Sequence, residues 1–148
     1  MSRRKEVKIA STVSRKTVTD ISNSSDNKKC VWLFDMIDID VSFTFDIKRP
    51  EFEHYRFLEK MIEYSNMSWS EIKKQTHDKG KSKHHFISYD TICKEARARL
   101  ETLKLTEYSD SLFSFALNNK LRVFGIRIDE YFHVLWYDPE HEIVKSTK

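Results

Sequence analysis

The stretch from Leu112 to Tyr137 constrains the fold most, because it reads as three strands joined by two tight turns. Residues 112–117 form the first strand, and Asn118-Asn119 makes a turn suited to a hairpin. Residues 120–128 form the second, Asp129-Glu130 turns the chain again, and 131–137 form the third, ended by Asp138-Pro139. Tight turns join antiparallel neighbours, so the C-terminal third is a meander. Upstream, Ile37, Ile39, Val41, Phe43, Phe45 and Ile47 alternate with Asp38, Asp40, Ser42, Thr44 and Asp46. Such alternation predicts a further strand with one buried and one wet, acidic face.

The middle of the chain has helical spacing instead. Pro50 suits a first helical turn, and Phe52, Tyr55, Leu58 and Ile62 predict an amphipathic helix over 50–64. Ser68-Trp-Ser-Glu71 is a capping box, with Met67 and Ile72 as its staple, so a short helix follows and ends before Gly80. A third helix is expected from Asp90, with Ile92, Ala96, Leu100 and Leu103 on its apolar face. A strand, three helices and a meander give an α+β class: an antiparallel sheet with a C-terminal three-strand meander, helices packed on one side. Trp69, Phe52, Leu58, Phe43, Phe45, Phe124 and Trp136 are the expected core.

Charge divides the chain. Residues 1–29 hold eight Lys or Arg against three acids, a net of +5, while the whole chain carries +3, so the remainder carries −2. That stretch has no aromatics and is rich in Ser and Thr, which predicts a disordered basic tail before one domain over 30–148. The slightly acidic body is not a strongly basic nucleic-acid binder, so any phosphate contact there needs a local patch. The basic start lacks a following apolar stretch and does not read as a secretory signal. No apolar run approaches membrane-spanning length, so no membrane partner is expected. Cys30 and Cys93 make neither a disulfide framework nor a zinc signature, and both read as reduced cysteines of a cytoplasmic protein.

Candidate chemistry concentrates in the meander. Arg122 and Arg127 lie on opposite faces of one strand, so one points towards the core or its rim. It is either paired with an acid or held out for phosphate, and Gly125 leaves a shallow groove nearby. Counting back from Asp129-Glu130 sets Tyr137 opposite Arg122 on one face, with His141 just beyond the Asp138-Pro139 break. His133 reads as a satisfied polar residue. The lysine-rich stretch 73–85, with Lys81, Lys83, His84 and His85, reads as a helix end entering an exposed loop. Asp38 and Asp40 read as a solvated face rather than a Mg²⁺ pair. No metal site is expected, and two glycines allow no phosphate-binding Gly-rich loop.

The stretch Leu121-Arg-Val-Phe-Gly-Ile-Arg-Ile-Asp-Glu-Tyr-Phe-His-Val-Leu-Trp-Tyr-Asp-Pro-Glu-His141 resembles the sheet of the RelE/HigB-like bacterial toxins, small ribosome-dependent or free mRNA endoribonucleases. It also resembles small uncharacterised bacterial and phage proteins ending in a Leu-Trp-Tyr-Asp-Pro-x-His-like motif, to whose pattern Asn66-Met-Ser-Trp-Ser-Glu-Ile72 belongs. The resemblance covers roughly 50–141 in element order and 120–141 in motif. It implies mRNA or the ribosome as partner, a cognate antitoxin, and RNA cleavage with no metal or other cofactor. Arg122 matches the strand arginine and Lys120 the basic residue before it. Tyr137 and His141 would transfer protons, while Arg122, Lys120 and Arg127 would stabilise the charged phosphorane. Lys81 and Lys83 would add RNA contacts. The alternative is a non-catalytic interaction module, antitoxin-like or a phage or defence accessory protein, that holds a partner by its sheet edge or basic arm.

Overall fold

The computed structural model describes residues 25–76 and 80–144. Residues 1–24, with the expected tail disorder, lie outside the described residues, as do 77–79 and 145–148. The elements are β1 (Val31–Leu33), α1 (His54–Ser65), α2 (Trp69–Lys74), β2 (His85–Phe86), α3 (Lys94–Thr102), β3 (Leu112–Ala116), β4 (Arg122–Ile128) and β5 (Tyr131–Asp138). The five strands form one sheet in the order β1-β5-β4-β3-β2. The three-strand meander is present, with β4 starting at Arg122 rather than Lys120 and its register to β5 shifted, and β2 adds antiparallel to β3. Only β1 runs parallel, to β5. The class is α+β, with a mostly antiparallel mixed sheet.

Both faces of the sheet are covered, not one. On one side Phe57 and Tyr64 of α1 and Trp69 and Ile72 of α2 pack on Phe113, Phe115, Val123, Phe132 and Tyr137. On the other, Ala96 and Leu100 of α3 pack on Leu112, Phe124, Ile126, Leu135 and Trp136. The reason is visible in the strands: all five residues of β3 are buried, so neither face could be left to water.

The alternating segment is the largest departure. No strand forms over 37–47; β1 is confined to Val31–Leu33 upstream, and the chain then bends and turns, touching β5 through a bridge of Thr44 to Trp136. Phe43 enters the α3-side core against Trp136, while Phe45 enters the α1-side core against Phe52 and Phe57. Ile39 and Ile47 are exposed, and Asp38, expected to be wet, is 3% exposed. The carboxylate decides the path. Arg99 donates to it from Nε (3.0 Å) and Nη2 (2.8 Å), Trp136 Nε1 donates at 2.9 Å, and the Asp40 N–H at 3.1 Å. A buried acid satisfied by four donors anchors the loop more firmly than alternation could.

Helix α1 buries a different stripe from the one predicted. Phe52 is buried ahead of the helix, and Phe57 and Tyr64 face the sheet, leaving Tyr55, Leu58 and Ile62 exposed. Leu58 is therefore not core; the other six predicted core residues are buried. Aromatic neighbours decide this, since Phe57 meets Trp32, Phe45 and Phe52, and Tyr64 stacks on Phe115. The Ser68–Glu71 capping box of α2 forms with both bonds in place. Before α3, a short 3₁₀ turn takes Asp90, and Cys93 stands at the N-cap.

Residues 25–29, read as tail, belong to the domain. The backbone of Lys28 accepts from Trp69 N and that of Asp26 from Ser70 N, at 3.0 and 2.8 Å. Asp26 also pairs with Lys73 and Arg127, both at 2.7 Å.

Candidate functional site

The sheet end where β3 stops, β4 begins and β5 stops carries an open cleft of about 970 Å³. Glu53 at the N-cap of α1 and Arg56 within it supply one wall, the loop before β2 supplies Thr76, Lys81 and Lys83, and the β3–β4 turn supplies Leu117 to Lys120. Each wall is fixed by local chemistry. The Asn118 side-chain oxygen accepts from the backbone of Lys120 (3.0 Å) and Leu121 (2.8 Å), which closes the turn and presents Lys120. The lysine loop is pinned at its base, where Thr76 bridges Ser82 and Lys83 N donates to Gln75 O at 2.9 Å.

His84 does the rest of that pinning. It is 1% exposed rather than part of a solvated loop. Its Nδ1 accepts from Ala116 N at 3.0 Å, which leaves the ring proton on Nε2, 2.7 Å from Gln75 Oε1. Its ring stands edge-on to Tyr64. A buried, neutral imidazole thus ties the loop carrying Lys81 and Lys83 to β3. On the opposite wall, Glu53 N donates to the Tyr137 hydroxyl at 2.9 Å, which itself donates to Glu51 O at 3.2 Å. Among the described residues, Lys81 and Lys83 make no ion pair; Lys120 pairs with Glu140 at 3.0 Å, with both groups exposed, and Arg56 reaches Glu53 at 4.0 Å.

Arg122, Tyr137 and His141 are not brought to one face. Counting from the turn does set Ile128 against Tyr131, but a β-bulge between Phe124 and Gly125 shifts the register by one residue. Arg122 therefore faces Asp138, and Tyr137 faces Val123. Tyr137 is fully buried on the α1 side, stacked on Phe52 at 4.3 Å, and burial pushes its phenol pKa up. Arg122 lies on the other face, half-buried; Nη1 donates to Asn118 O at 2.8 Å and Leu121 O at 3.1 Å. Burial lowers its pKa and Asp138 opposes that.

Asp138 joins two of the three. Its carboxylate accepts from Glu142 N (2.9 Å) and Ile143 N (2.8 Å), curling the chain after Pro139 and setting His141 at a left-handed φ of 60°. Burial raises the Asp138 pKa, while those two amides and the nearby charges of His141 and Arg122 pull it back. Among the described residues neither Arg122 nor His141 makes an ion pair with that carboxylate; Arg122 is its cross-strand neighbour, and both act on it only through their charge, at the same sheet end as the cleft.

Arg127 cannot contact RNA. It is fully buried over the Trp69 ring at 4.1 Å, donating to Asp26 at 2.7 Å and to Asp129 O at 2.8 Å. No shallow groove opens at Gly125 either: a Cβ there would stand 2.3 Å from His133 O and 2.7 Å from the Phe132 ring, so the space is filled. His133 pairs with Asp35 at 2.7 Å, and that bond holds the Asp35 carboxyl below its ordinary range. No group of three or more His, Cys, Asp or Glu among the described residues could hold a metal, and no helix there is long and apolar enough to cross a membrane.

Of the residues that line the cleft, sequence reasoning singled out Lys81, Lys83 and Lys120, read Asn118-Asn119 only as a turn, and passed over Glu53 and Arg56. Arg56 carries no local signal, since only the rotation of α1 decides that it faces the cleft. Comparison of the chain with protein-family models, curated proteins and solved structures gave no match.

Proposed function

We propose that the protein binds RNA through its phosphates in the basic cleft, as a toxin-like endoribonuclease would. One observation carries the reading: four cations from three separate elements, Arg56, Lys81, Lys83 and Lys120, converge on one open concavity in a body whose net charge is slightly negative. Positive groups held apart by rigid supports repel one another unless a polyanion lies between them. Cleavage, in this reading, falls to Arg122 and His141 beside Asp138, which lie at the same sheet end but outside the cleft lining, so the RNA strand must run past the cleft rim to reach them; buried Tyr137 braces the cleft wall through Glu53 rather than transferring a proton. Fluorescence anisotropy with a labelled RNA tests binding. The expected result is salt-dependent affinity that collapses in a Lys81→Ala/Lys83→Ala chain; equal binding by both chains removes the proposal. Expression in bacteria tests cleavage: mRNA loss with wild type but not with His141→Ala or Arg122→Ala is expected, and intact mRNA throughout leaves a binder without catalysis.

A second reading, a non-catalytic interaction module, is favoured by the unburied stripe of α1. Leu58 and Ile62 are more than half exposed, and beside them lies an apolar groove of about 350 Å³ between α1 and β1, reaching Trp32, Phe34 and Met61. Exposed patches of this kind mark interaction surfaces. The module reading requires Leu58→Ser/Ile62→Ser to lose association, measured by sedimentation of the purified chain and by pull-down, at unchanged melting temperature; unchanged association counts against it.

A further inference from the structure

We propose that the cleft takes single-stranded RNA and that Glu53 holds the Watson–Crick edge of a guanine. This rests on the RNA-binding reading above and names what that site selects.

The argument begins with a mismatch. Among the described residues that line the cleft, Glu53 is the one acid; the others are cations or neutral groups. An ionised carboxylate only accepts hydrogen bonds, so it cannot take a phosphate and would repel one. Its partner in a bound polynucleotide must be a donor. Among the described residues the Glu53 carboxylate accepts no hydrogen bond: its side chain is half-exposed, and its ion-pair neighbour Arg56 stands at 4.0 Å, beyond a hydrogen bond. It is also held in position, because its backbone N–H is bonded to the buried Tyr137 hydroxyl at 2.9 Å.

Base chemistry then selects. A carboxylate offers two oxygens side by side. Guanine presents two adjacent donors, N1–H and the 2-amino group, which match them. Adenine and cytosine set their amino group beside a ring acceptor, which repels the second oxygen. Uracil has one N–H between two carbonyls. Guanine in a duplex uses this edge for pairing, so the ligand must be unpaired there, as in most sequence-specific RNA recognition. Lys81 and Lys83 across the cleft, with Lys120 on the turn, would take the flanking phosphates. A volume of about 970 Å³ is large for one small ligand and leaves room for the neighbouring nucleotides.

The test is anisotropy titration of the full chain with fluorescein-labelled RNA octamers: all-uridine, the same with one central guanosine, and the same with one central inosine, which lacks the 2-amino group. Wild type should bind the guanosine octamer about tenfold tighter than all-uridine, the size of a good bidentate base contact, and inosine should lose most of that gain. In Glu53→Gln the guanosine-to-uridine ratio should fall to about one. The Glu53 side chain is half-exposed, so the variant should melt as wild type does, and a thermal melt checks it. Equal affinity of wild type for all three octamers, or a ratio kept in Glu53→Gln, overturns the inference while RNA binding stands. No binding to any octamer overturns the RNA-binding reading as well.

Discussion

Two charged constellations in this chain are built in opposite ways. Asp38 and Arg99 meet behind the loop after β1, with the carboxylate buried and every partner in hydrogen-bond range. Around the cleft, Lys81 and Lys83 on the loop before β2 and Arg56 on α1 line one open concavity from two separate supports. The first arrangement is complete and stores stability; the second is incomplete and stores affinity. Burial separates them. A charge withdrawn from water needs all its partners, whereas a charge left at a solvated rim can wait for a ligand. The contrast yields predictions that rank by their effect on stability.

Breaking the complete constellation should cost most. Asp38→Ala strands the Arg99 guanidinium and the Trp136 N–H and releases the loop that seats Phe43 and Phe45. A loss of about 3 kcal/mol is expected in urea unfolding. A loss below about 1 kcal/mol would mean that the pair is solvated and that the two constellations differ less than their geometry implies.

Next comes the bulge that separates Tyr137 from Arg122. Gly125→Ala drives a methyl to within 2.3 Å of His133 O, a backbone atom that cannot swing aside. A cost of about 1–3 kcal/mol is expected, as for other overpacked interiors. Unchanged stability would show that β4 and β5 can slip in register, and the assignment of Arg122 to the Asp138 side would fall with it.

Acid titration sharpens the comparison further. Burial would raise the Asp38 pKa, but Arg99, Trp136 and the Asp40 N–H outweigh it, so the folded value lies below the ordinary one. Stability from Asp38 is therefore present above its unfolded pKa, about 3.9, and is lost as pH falls through the folded value. Asp138 is shifted upward, chiefly by burial. Its contribution is present below the unfolded pKa and lost as pH rises through the folded one. The two groups oppose each other on acidification. In unfolding free energies between about pH 3 and 6, Asp38→Asn should flatten the acid loss and Asp138→Asn should steepen it. The same slope in both variants would contradict the opposite electrostatic settings.

How much of this was legible before folding follows from how local each signal is. The meander and the Ser68–Glu71 cap could be read because alternation, turn residues and capping spacing act within a few residues. The path of residues 34–53 could not, because it depends on Asp38 finding Arg99, 61 positions away. The face of α1 was misread because the helix carries two apolar stripes, and only the aromatic cluster around Phe57 chooses between them. At the site, the lysines were legible as charge. The register of Tyr137 was off by the one residue that a bulge inserts, a feature with no local marker except Gly125 and its need for close backbone approach.

The smallest effect on stability should come from the cleft lysines, and it gives the strictest test of the contrast. Lys81 is exposed and makes no ion pair among the described residues, so Lys81→Ala should change unfolding free energy by less than about 0.5 kcal/mol. Lys120 has a partner in Glu140, but both side chains are at least 60% exposed, and such pairs contribute about 0–1 kcal/mol. Affinity for RNA should move instead. Each lysine that neutralises a phosphate releases about one counterion, so the slope of log affinity against log salt should become shallower by about one for Lys81→Ala and again for Lys83→Ala. Lys120→Ala should change the slope less, because Glu140 already offsets part of its charge; Glu140→Gln should then strengthen RNA binding at low salt. A Lys120 effect as large as that of Lys81, with no gain from Glu140→Gln, would show that the surface pair is absent in solution. Lysine variants that lose stability but leave the salt slope intact would reverse the comparison, making the cleft part of the scaffold rather than a surface awaiting a polyanion.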